Sequence, residues 1–343
     1  MRRGLLIFLL VNLAILSFLV HRVWILLTLL VVDGAEDAIT RAELPALGKE
    51  RDDSTSQIIP RIIHQTYKNA SIPPAWQEAQ ASCTALHPQS EGWEYKLWTD
   101  EMGLQFIQQE YSWFYDTYSG YPYPIQRADA IRYFVLAHYG GVYIDLDDGC
   151  QRSLEPLLKY PAFVRRTIPT GISNDVMGAV PRHPFFVRVT EKINEYDRNW
   201  ILPYITVMGS TGPLFLSVMW RRWSSDGLNI GDGKDGGRIR SIFPEEYNGF
   251  PWSFFTHHKG DSWHRWDVRL IFWLARHWIL VTILGFVIGF SVLFLGWWVY
   301  RRLISGSGGS PKQGLALLTG SKLPSWRRAG AYNDFELVDR YEV

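Results

Sequence analysis

The residues most suited to chemistry are the carboxylates of Asp145-Leu146-Asp147-Asp148, which directly follow the apolar run Val142-Tyr143-Ile144. In an extended segment, residues 145 and 147 point to the same side. Two carboxylates on one side can hold a hard divalent cation through oxygen and leave room for water and substrate phosphates. Such a cation neutralises a diphosphate as it departs. The alternative interpretation is a solvated turn at the end of a strand, because Asp-x-Asp is a short pattern.

A helix-like segment before this cluster carries a second charged pair, Asp129 and Arg132. The two residues are three positions apart, so they share one helix face. One interpretation is an intrahelical salt bridge. The other is a clamp on a sugar donor, with Asp129 binding sugar or ribose hydroxyls and Arg132 binding a phosphate or sugar oxygen.

A third polar pair, Asn174-Asp175, follows a turn at Gly171. Glycosyl transfer passes through a cation-like sugar, which a nearby carboxylate or amide stabilises electrostatically. These residues therefore approach the reacting carbon or the acceptor hydroxyl, or else they cap a loop.

The surrounding pattern predicts the elements that hold these residues. Compact structure should begin with a buried strand at Ile58–His64, and a second strand is expected at Trp93–Trp98. Residues 100–118 and 124–139 are helix-like, and the latter segment ends at Gly140-Gly141, where glycine can take a left-handed cap conformation. Helices that alternate with buried strands predict an α/β sheet covered on both faces. Open α/β sheets bind ligands at the carboxyl ends of their strands, where the acidic cluster lies.

Two long apolar segments lie near the ends of the chain. The first runs from Gly4 to Val20, is interrupted by His21-Arg22, and resumes from Val23 to Val32. It is either one tilted membrane span or a short span followed by an interfacial piece. A cleaved signal peptide is the remaining alternative, although its apolar core would be shorter. The second segment, Trp278 to Tyr300, has no charged residue and is long enough to cross about 30 Å of hydrocarbon.

The flanks of these segments predict their orientation. Arg2-Arg3 and Arg301-Arg302 favour a cytosolic location for both termini. The expected organisation is a membrane anchor at 1–32, a polar stem at 33–57, a catalytic domain at 58–262 facing a lumen, an interfacial aromatic and basic helix at 263–277, a transmembrane helix at 278–300, and a largely disordered cytosolic tail at 301–343.

Composition narrows the function further. The formal net charge is +1, so no charge excess argues for a nucleic-acid partner. The chain has two cysteines, Cys83 and Cys150, for which a disulfide and a pair of buried thiols both stay open. Asn69-Ala70-Ser71 is a glycosylation sequon, as found in lumenal proteins.

Several blocks together resemble a known family. They are Ile59-Pro60-Arg61-Ile62-Ile63-His64-Gln65-Thr66, the 127–133 segment, Tyr139–Asp147, Ser173–Gly178, Met208–Pro213 and Gly260–His264. They are similar to the DXD sugar-binding glycosyltransferases of family 32, and among these to the fungal inositol phosphorylceramide mannosyltransferases. The resemblance implies a GT-A-type, Rossmann-like nucleotide-sugar-binding domain. It also implies GDP-mannose as donor, Mn²⁺ or Mg²⁺ as metal, a membrane sphingolipid acceptor, a Golgi-lumen site, retention of configuration, and a second membrane protein as regulatory subunit.

The resemblance also assigns expected roles to residues. Gln65 and Thr66 would lie near the nucleotide. Asp129, Arg132 and Asp145 would bind the donor. The metal would be held by Asp145, Asp147 and His264, with His257 and His258 as competitors of His264. Asp147, Asn174 and Asp175 are the candidate catalytic residues.

Two other functions stay open from the sequence. One is a family-32 mannosyltransferase that extends protein-linked glycans, and the other is a non-catalytic subunit of a membrane glycosylation complex. The Arg- and Trp-rich residues 262–278 favour the lipid acceptor, because they would hold the domain near an anionic headgroup.

Overall fold

A computed structural model of the chain describes residues 2–32, 34–49, 56–168, 170–258 and 266–305. The α-helices are α1 (Arg2–Val31), α2 (Pro74–Leu86), α3 (Asp100–Glu110), α4 (Tyr115–Gly120), α5 (Pro124–Tyr139), α6 (Pro184–Lys192), α7 (Pro203–Ser210), α8 (Pro213–Ser225), α9 (Pro244–Tyr247), α10 (Trp266–Arg276) and α11 (Trp278–Ser305). The strands are β1 (Ile62–Tyr67), β2 (Glu94–Thr99), β3 (Gly141–Ile144), β4 (Asp148–Cys150), β5 (Ala162–Arg166), β6 (Ile172–Ala179), β7 (Ile239–Ile242) and β8 (Phe255–His257).

A six-stranded sheet in the order β2-β1-β3-β6-β5-β7 forms the centre of the fold. Strand β1 pairs in parallel with β2 and β3, whereas β6 runs antiparallel to β3. The carboxyl ends of β1, β2 and β3 therefore meet at one edge, which the amino end of β6 joins. This confirms the predicted α/β class with a GT-A-type sheet, and two long apolar helices accompany it.

Both faces of the sheet are buried. Alternate side chains of β3 point to opposite faces, as the pleat requires: Tyr143 belongs to the core under α5, whereas Val142 and Ile144 belong to the core on the other face. Helix α5 is buried over most of its length because it packs between the sheet and α6. This burial fixes every residue of α5 relative to β3.

The glycine pair after α5 makes the connection to β3 possible. Gly140 and Gly141 have φ values of 66° and 93°, which a residue with a Cβ rarely adopts. A Cβ on Gly141 would also lie 2.6 Å from the carbonyl oxygen of Ile62 on β1. The two glycines let β3 start directly against β1, so that Asp145 follows after a single short strand.

Two predicted elements differ in the structure. The first strand begins at Ile62 rather than Ile58, because Pro60 has no backbone N–H for a ladder. The predicted helix over residues 100–118 is broken at Tyr111, whose φ of −137° and ψ of 49° leave the helical region. Helix α5, by contrast, begins and ends where the pattern predicts.

The first apolar segment forms one continuous helix, α1, whose last turns pack against the globular unit. Leu29 is buried in the same core as Trp220 of α8, and Ile25 and Val32 flank it. The chain then turns over Trp220 at Gly34, where a Cβ would lie 2.7 Å from the indole. Burial of a leucine side chain contributes roughly 1.5–3 kcal/mol, so the helix end belongs to the fold.

The segment after α1, which we expected to form a stem, lies against β7. Ala38 forms a bridge with Ser241, and Ile39 is buried. The Asp37 carboxylate pairs with Arg238 at 2.9 Å, and Glu43 pairs with Arg240 at 2.7 Å. Residues 34–44 are thus part of the globular unit rather than a spacer.

Cys83 and Cys150 form a disulfide that ties α2 to β4, with their Cα atoms 4.6 Å apart. This resolves the alternative left open by the sequence. Helix α11 is apolar and long enough to span a bilayer, and α10 covers the described part of the expected interfacial helix. The expected tail from residue 306 onwards lies outside the described residues.

Candidate active site

The acidic segment forms a tight turn at the carboxyl edge of the sheet. The Asp145 N–H donates to the carbonyl oxygen of Asp175 at 2.8 Å, which extends the β3–β6 ladder by one residue. The Asp148 N–H then donates to the carbonyl oxygen of Asp145 at 3.0 Å. This turn leaves Asp145 and Asp147 at the mouth of a cleft and turns Asp148 inward.

The Asp145 carboxylate is held from two sides. Arg132 lies 3.0 Å from Oδ1, and the Tyr143 hydroxyl donates to the same oxygen at 2.7 Å. Thr66 extends this network, because its hydroxyl lies 2.9 Å from that of Tyr143. Burial raises the pKa of Asp145 to about 8, although Arg132 opposes the shift. Additional positive charge in the cleft would therefore stabilise the ionised form of Asp145.

Behind this carboxylate lies a group of mutually bonded side chains, which we call the closed wall: Asp129, Arg132, Tyr133, Asn174 and Thr211. Asn174 Nδ2 donates to Asp129 Oδ1 at 2.9 Å and to the Tyr133 hydroxyl at 3.0 Å. Arg132 Nη2 lies 3.3 Å from Asp129, and Thr211 Oγ1 donates to the same carboxylate at 3.3 Å.

Both charged side chains of the closed wall, Asp129 and Arg132, are buried. Burial raises the pKa of Asp129, against the opposing effect of Arg132, Asn174 and Thr211. Although burial alone would lower the pKa of Arg132, the carboxylates of Asp145 and Asp129 hold it well above its usual range. The predicted Asp129–Arg132 salt bridge is thus present. The clamp on a donor stays a prediction, and in this geometry only Arg132 of the pair lines the cleft.

The other side of the acidic turn carries a second network. Arg165 donates to the Asp175 carboxylate, and its guanidinium lies 3.7 Å from the ring centre of Tyr247. The Tyr247 hydroxyl donates to Asp148 Oδ1 at 2.5 Å, and His257 Nδ1 lies 2.9 Å from the same oxygen. The hydrogen bond to Asp148 raises the pKa of His257. Asp148 therefore holds the acidic turn in place through its bonds to Tyr247 and His257, whereas Asp145 and Asp147 face the cleft.

A cleft of about 310 Å³ opens beside the acidic turn. Four of the expected site residues line it, namely Thr66, Arg132, Asp145 and Asp147. Its other lining residues are Tyr67, Lys68, Trp76, Trp98, Thr99, Asp100, Tyr118, Pro124, Ile125, Ala128, Ile131 and Leu146.

The remaining expected residues lie behind the cleft or outside the described chain. Gln65 is fully buried, accepts from the Tyr95 hydroxyl at 2.8 Å, and lies 3.5 Å from the carbonyl oxygen of Asp145. Asp129 and Asn174 belong to the closed wall, and Asp175 pairs with Arg165. His264 lies outside the described residues.

Two histidines near the sheet are buried in their neutral form. Trp98 Nε1 donates to His64 Nδ1 at 3.1 Å, so His64 Nε2 donates to the carbonyl oxygen of Gly140 at 2.9 Å. His87 accepts from the Leu154 N–H at 2.9 Å and donates to the carbonyl oxygen of Cys83 at 2.7 Å. Burial lowers the pKa of each histidine to about 4.

The donor set suits a hard divalent cation. Asp145 and Asp147 offer carboxylate oxygens in one cleft. Within the described part of the chain the Asp147 carboxylate forms no side-chain hydrogen bond or ion pair, although His257 attracts it electrostatically. Oxygen ligands of this kind fit Mg²⁺ or Mn²⁺. No third acidic, cysteine or histidine side chain joins them among the described residues. Substrate phosphates or water would complete the shell.

Several site residues were missed from the sequence. Tyr143 could have been found, because it lies two residues before Asp145 and so points to the same side of the strand. Arg165, Thr211 and Tyr247 come from distant parts of the chain, and only Thr211 lies in a block noted for its resemblance. No local spacing indicates that Tyr247 reaches Asp148, 99 residues away.

Comparisons with known proteins identify the family of the chain. A family model described as "Glycosyltransferase sugar-binding region containing DXD motif" matches residues 73–164. The chain is 46% identical to mannosyl phosphorylinositol ceramide synthase CSH1 of Saccharomyces cerevisiae, over 98% of this chain and 89% of that protein. It is 47% identical to mannosyl phosphorylinositol ceramide synthase SUR1 of the same organism, over 82% of this chain and 71% of that protein. It is also 47% identical to inositol phosphoceramide mannosyltransferase 3 of Schizosaccharomyces pombe, over 70% of this chain and 65% of that protein.

Proposed function

The chain belongs to the DXD glycosyltransferases, within the family of the inositol phosphoceramide mannosyltransferases, and from this premise we propose its reaction. It transfers mannose from GDP-mannose to the inositol headgroup of inositol phosphorylceramide, with retention of configuration and with Mn²⁺ or Mg²⁺. The observation that carries the proposal is the pair of carboxylates, Asp145 and Asp147, in a cleft of a chain this similar to those relatives.

The chain's own residues would divide the work in three. Asp145 and Asp147 would hold the cation, which supplies positive charge for the departing diphosphate. Arg132 lines the same cleft and presents a rigid guanidinium, because Asp129 and Asp145 fix it from two sides. A preorganised cation of this kind stabilises developing negative charge without reorganisation.

The candidate catalytic residues Asn174 and Asp175 remain part of the proposal in an indirect role. The Asn174 carbonyl oxygen accepts from Arg132 Nη1 at 2.8 Å, and Asp175 binds Arg165. Both would act by positioning these arginines around the diphosphate and the sugar, rather than by contacting the sugar from the cleft lining.

The structure favours an acceptor taken from the bilayer. Thr170, in the loop between β5 and β6, donates to the carbonyl oxygen of Leu29 at the end of α1, and Arg166 donates to that of Val32 at 3.3 Å. Four residues, of which the last three belong to β6, lead from Thr170 to Asn174, about 13 Å at 3.3 Å per residue. With α1 in the membrane, the site would lie within reach of a lipid headgroup.

The cellular setting is part of the same proposal. We place the globular unit in the Golgi lumen with both termini cytosolic, α10 on the membrane surface, and α1 and α11 across it. A second membrane protein would serve as regulatory subunit.

An acceptor assay tests the proposal. Full-length protein in detergent is incubated with GDP-mannose and either inositol phosphorylceramide or an N-glycan, with Mn²⁺, with Mg²⁺, or with a chelator. We expect mannose on the lipid only, in the presence of metal, with the anomeric configuration of the donor preserved in the product by NMR.

Each departure from that result has a defined meaning. Mannose on the N-glycan alone would replace the lipid acceptor by the protein-glycan alternative. Full activity in the chelator would refute the metal site, and an inverted anomer would refute retention.

A further inference from the structure

The end of the cleft away from the acidic turn holds an isolated carboxylate, that of Asp100. Asp100 is the first residue of α3 and directly follows β2. Its side chain is exposed and lines the cleft. Within the described residues it takes part in no hydrogen bond or ion pair. Arg127 attracts it electrostatically but donates its own hydrogen bond to the carbonyl oxygen of Tyr121 at 3.4 Å.

The sheet fixes the separation between this carboxylate and the acidic turn. Strands β2 and β3 flank β1 on its two sides, so their carboxyl ends are two strand spacings apart. Each spacing is about 4.8 Å, and the pairing registers place Asp100 two residues further along the strand direction than Asp145, so the two residues are roughly 12 Å apart. This separation suits a nucleotide whose diphosphate lies at Asp145 and whose base lies at Asp100.

The carboxyl end of β1, which lies between these two points, carries one ring of an aromatic pair, that of Tyr67. Tyr67 and Trp76 both line the cleft, with their ring centres 5.8 Å apart in an edge-on arrangement. Lys68 lies in the same region, 5.7 Å from the Tyr67 ring centre. Aromatic faces bind any base by stacking, so they give affinity without choosing among bases.

The choice among bases falls to the carboxylate, which can only accept hydrogen bonds. Guanine offers two adjacent donors, N1–H and the 2-amino group. Uracil offers one N–H between two carbonyl oxygens that repel a carboxylate. The amino groups of adenine and cytosine each stand beside an acceptor nitrogen.

We propose that Asp100 reads the guanine of the donor nucleotide through a bidentate hydrogen bond to N1–H and the 2-amino group. This inference rests on the proposed function, which supplies a nucleoside diphosphate sugar as donor, and it identifies the residue that selects the base. A good bidentate pair discriminates by roughly tenfold to hundredfold.

Calorimetric titration of the full-length protein with GDP, IDP and UDP, in the presence of Mn²⁺, tests the proposal. IDP differs from GDP only in that its base lacks the 2-amino group. We expect the natural protein to bind GDP about tenfold more tightly than IDP, and UDP more weakly than either. In Asp100→Asn and Asp100→Ala, GDP should weaken to the level of IDP, so that the GDP/IDP ratio approaches one.

The matched control is Glu101→Gln, which removes the adjacent exposed carboxylate. Glu101 accepts a hydrogen bond from Gln105 at 3.4 Å and does not line the cleft, so its loss should leave all three affinities unchanged. A GDP/IDP ratio that survives in both Asp100 variants would overturn the role of Asp100 and leave the proposed reaction intact. Preference of the natural protein for UDP would instead overturn the proposed donor.

Discussion

The two sides of the cleft differ in whether their polar side chains are bonded to one another. On the closed wall, Asp129, Arg132 and Asn174 are buried and satisfy one another. On the open side, Asp147 and Asp100 have carboxylates without a bonded partner in the described chain. Buried groups that bond to each other fix geometry and are costly to disturb, whereas unpaired groups at a cleft are available to a ligand. The contrast separates Asp129 and Asn174, which shape the site, from Asp147 and Asp100, which are available to a ligand; Arg132 belongs to the closed wall and also lines the cleft.

The largest expected effect comes from the closed wall. Arg132→Ala leaves Asp129 and Asp145 without their shared cation, and breaking a buried pair costs about 3–5 kcal/mol of unfolding free energy. Thermal unfolding in detergent should show the midpoint falling by several degrees, since roughly 2–4 °C correspond to each kcal/mol in a unit of this size.

Arg127→Ala is the matched control for this change, because it lies on the same helix outside the closed wall. Its unfolding free energy should stay within about 0.5 kcal/mol of that of the natural protein. Equal losses in the two variants would show that the closed wall has no special role in stability.

The second effect comes from the open side and should appear in activity alone. Asp147→Asn removes a charge from the proposed cation site, and loss of one such electrostatic group lowers the rate by roughly 10²–10³-fold. The unfolding midpoint should not fall, because no side chain in the described residues depends on Asp147. Asp235→Asn, in an exposed loop, is the control and should keep full activity.

The comparison fails if Asp147→Asn destabilises the protein as strongly as Arg132→Ala. It also fails if the variant retains most of its mannosyl transfer at saturating metal. Either result would mean that Asp147 shapes the site rather than binding there.

A third prediction concerns the protonation of two buried histidines outside the closed wall. His64 and His87 have pKa values of about 4 when folded, below the usual 6.5, so the unfolded chain binds more protons between these values. Their contribution is complete above pH 6.5 and is lost as pH falls towards 4, by up to roughly 3 kcal/mol each. Unfolding midpoints measured from pH 7 to 4.5 should therefore fall with acidity.

Substitution of either histidine tests the origin of that slope. His87→Gln should remove one of the two contributions and reduce the dependence on pH, although the variant will be less stable at neutral pH. An unchanged slope would exclude His87 as a source.

The sequence predicted the parts of the fold that depend on local pattern. Helix α5, strand β3, the glycine connection and the two apolar helices all follow from periodicity and from residue type. The packing of residues 34–44 on β7 could not be predicted, because it joins segments some 200 residues apart through the Arg238 and Arg240 pairs. Nothing in the local polar composition distinguishes such a segment from a stem.

The sequence predicted that Asp145 and Asp147 lie together, but it did not separate the neighbouring candidates that line the cleft from those that lie behind it. Adjacent residues of a strand point to opposite faces, so Gln65 and Thr66 lie on different sides of β1. Gln65 is buried, and Thr66 is the one of the two that lines the cleft. The same rule sends Asn174 to the closed wall and Asp175 to Arg165. Strict use of the two-residue period would have separated each pair from the sequence alone.

The burial of Leu29 beside Trp220 determines how this protein can be handled and how it can evolve. A cut between the helix and the globular unit would strip the last turns of α1 from the core and leave apolar surface open to water. Release of a soluble fragment by proteolysis, or exchange of the anchor for another, is therefore a change to the fold itself. Substitutions in the last turns of α1 and substitutions around Trp220 therefore affect the same core.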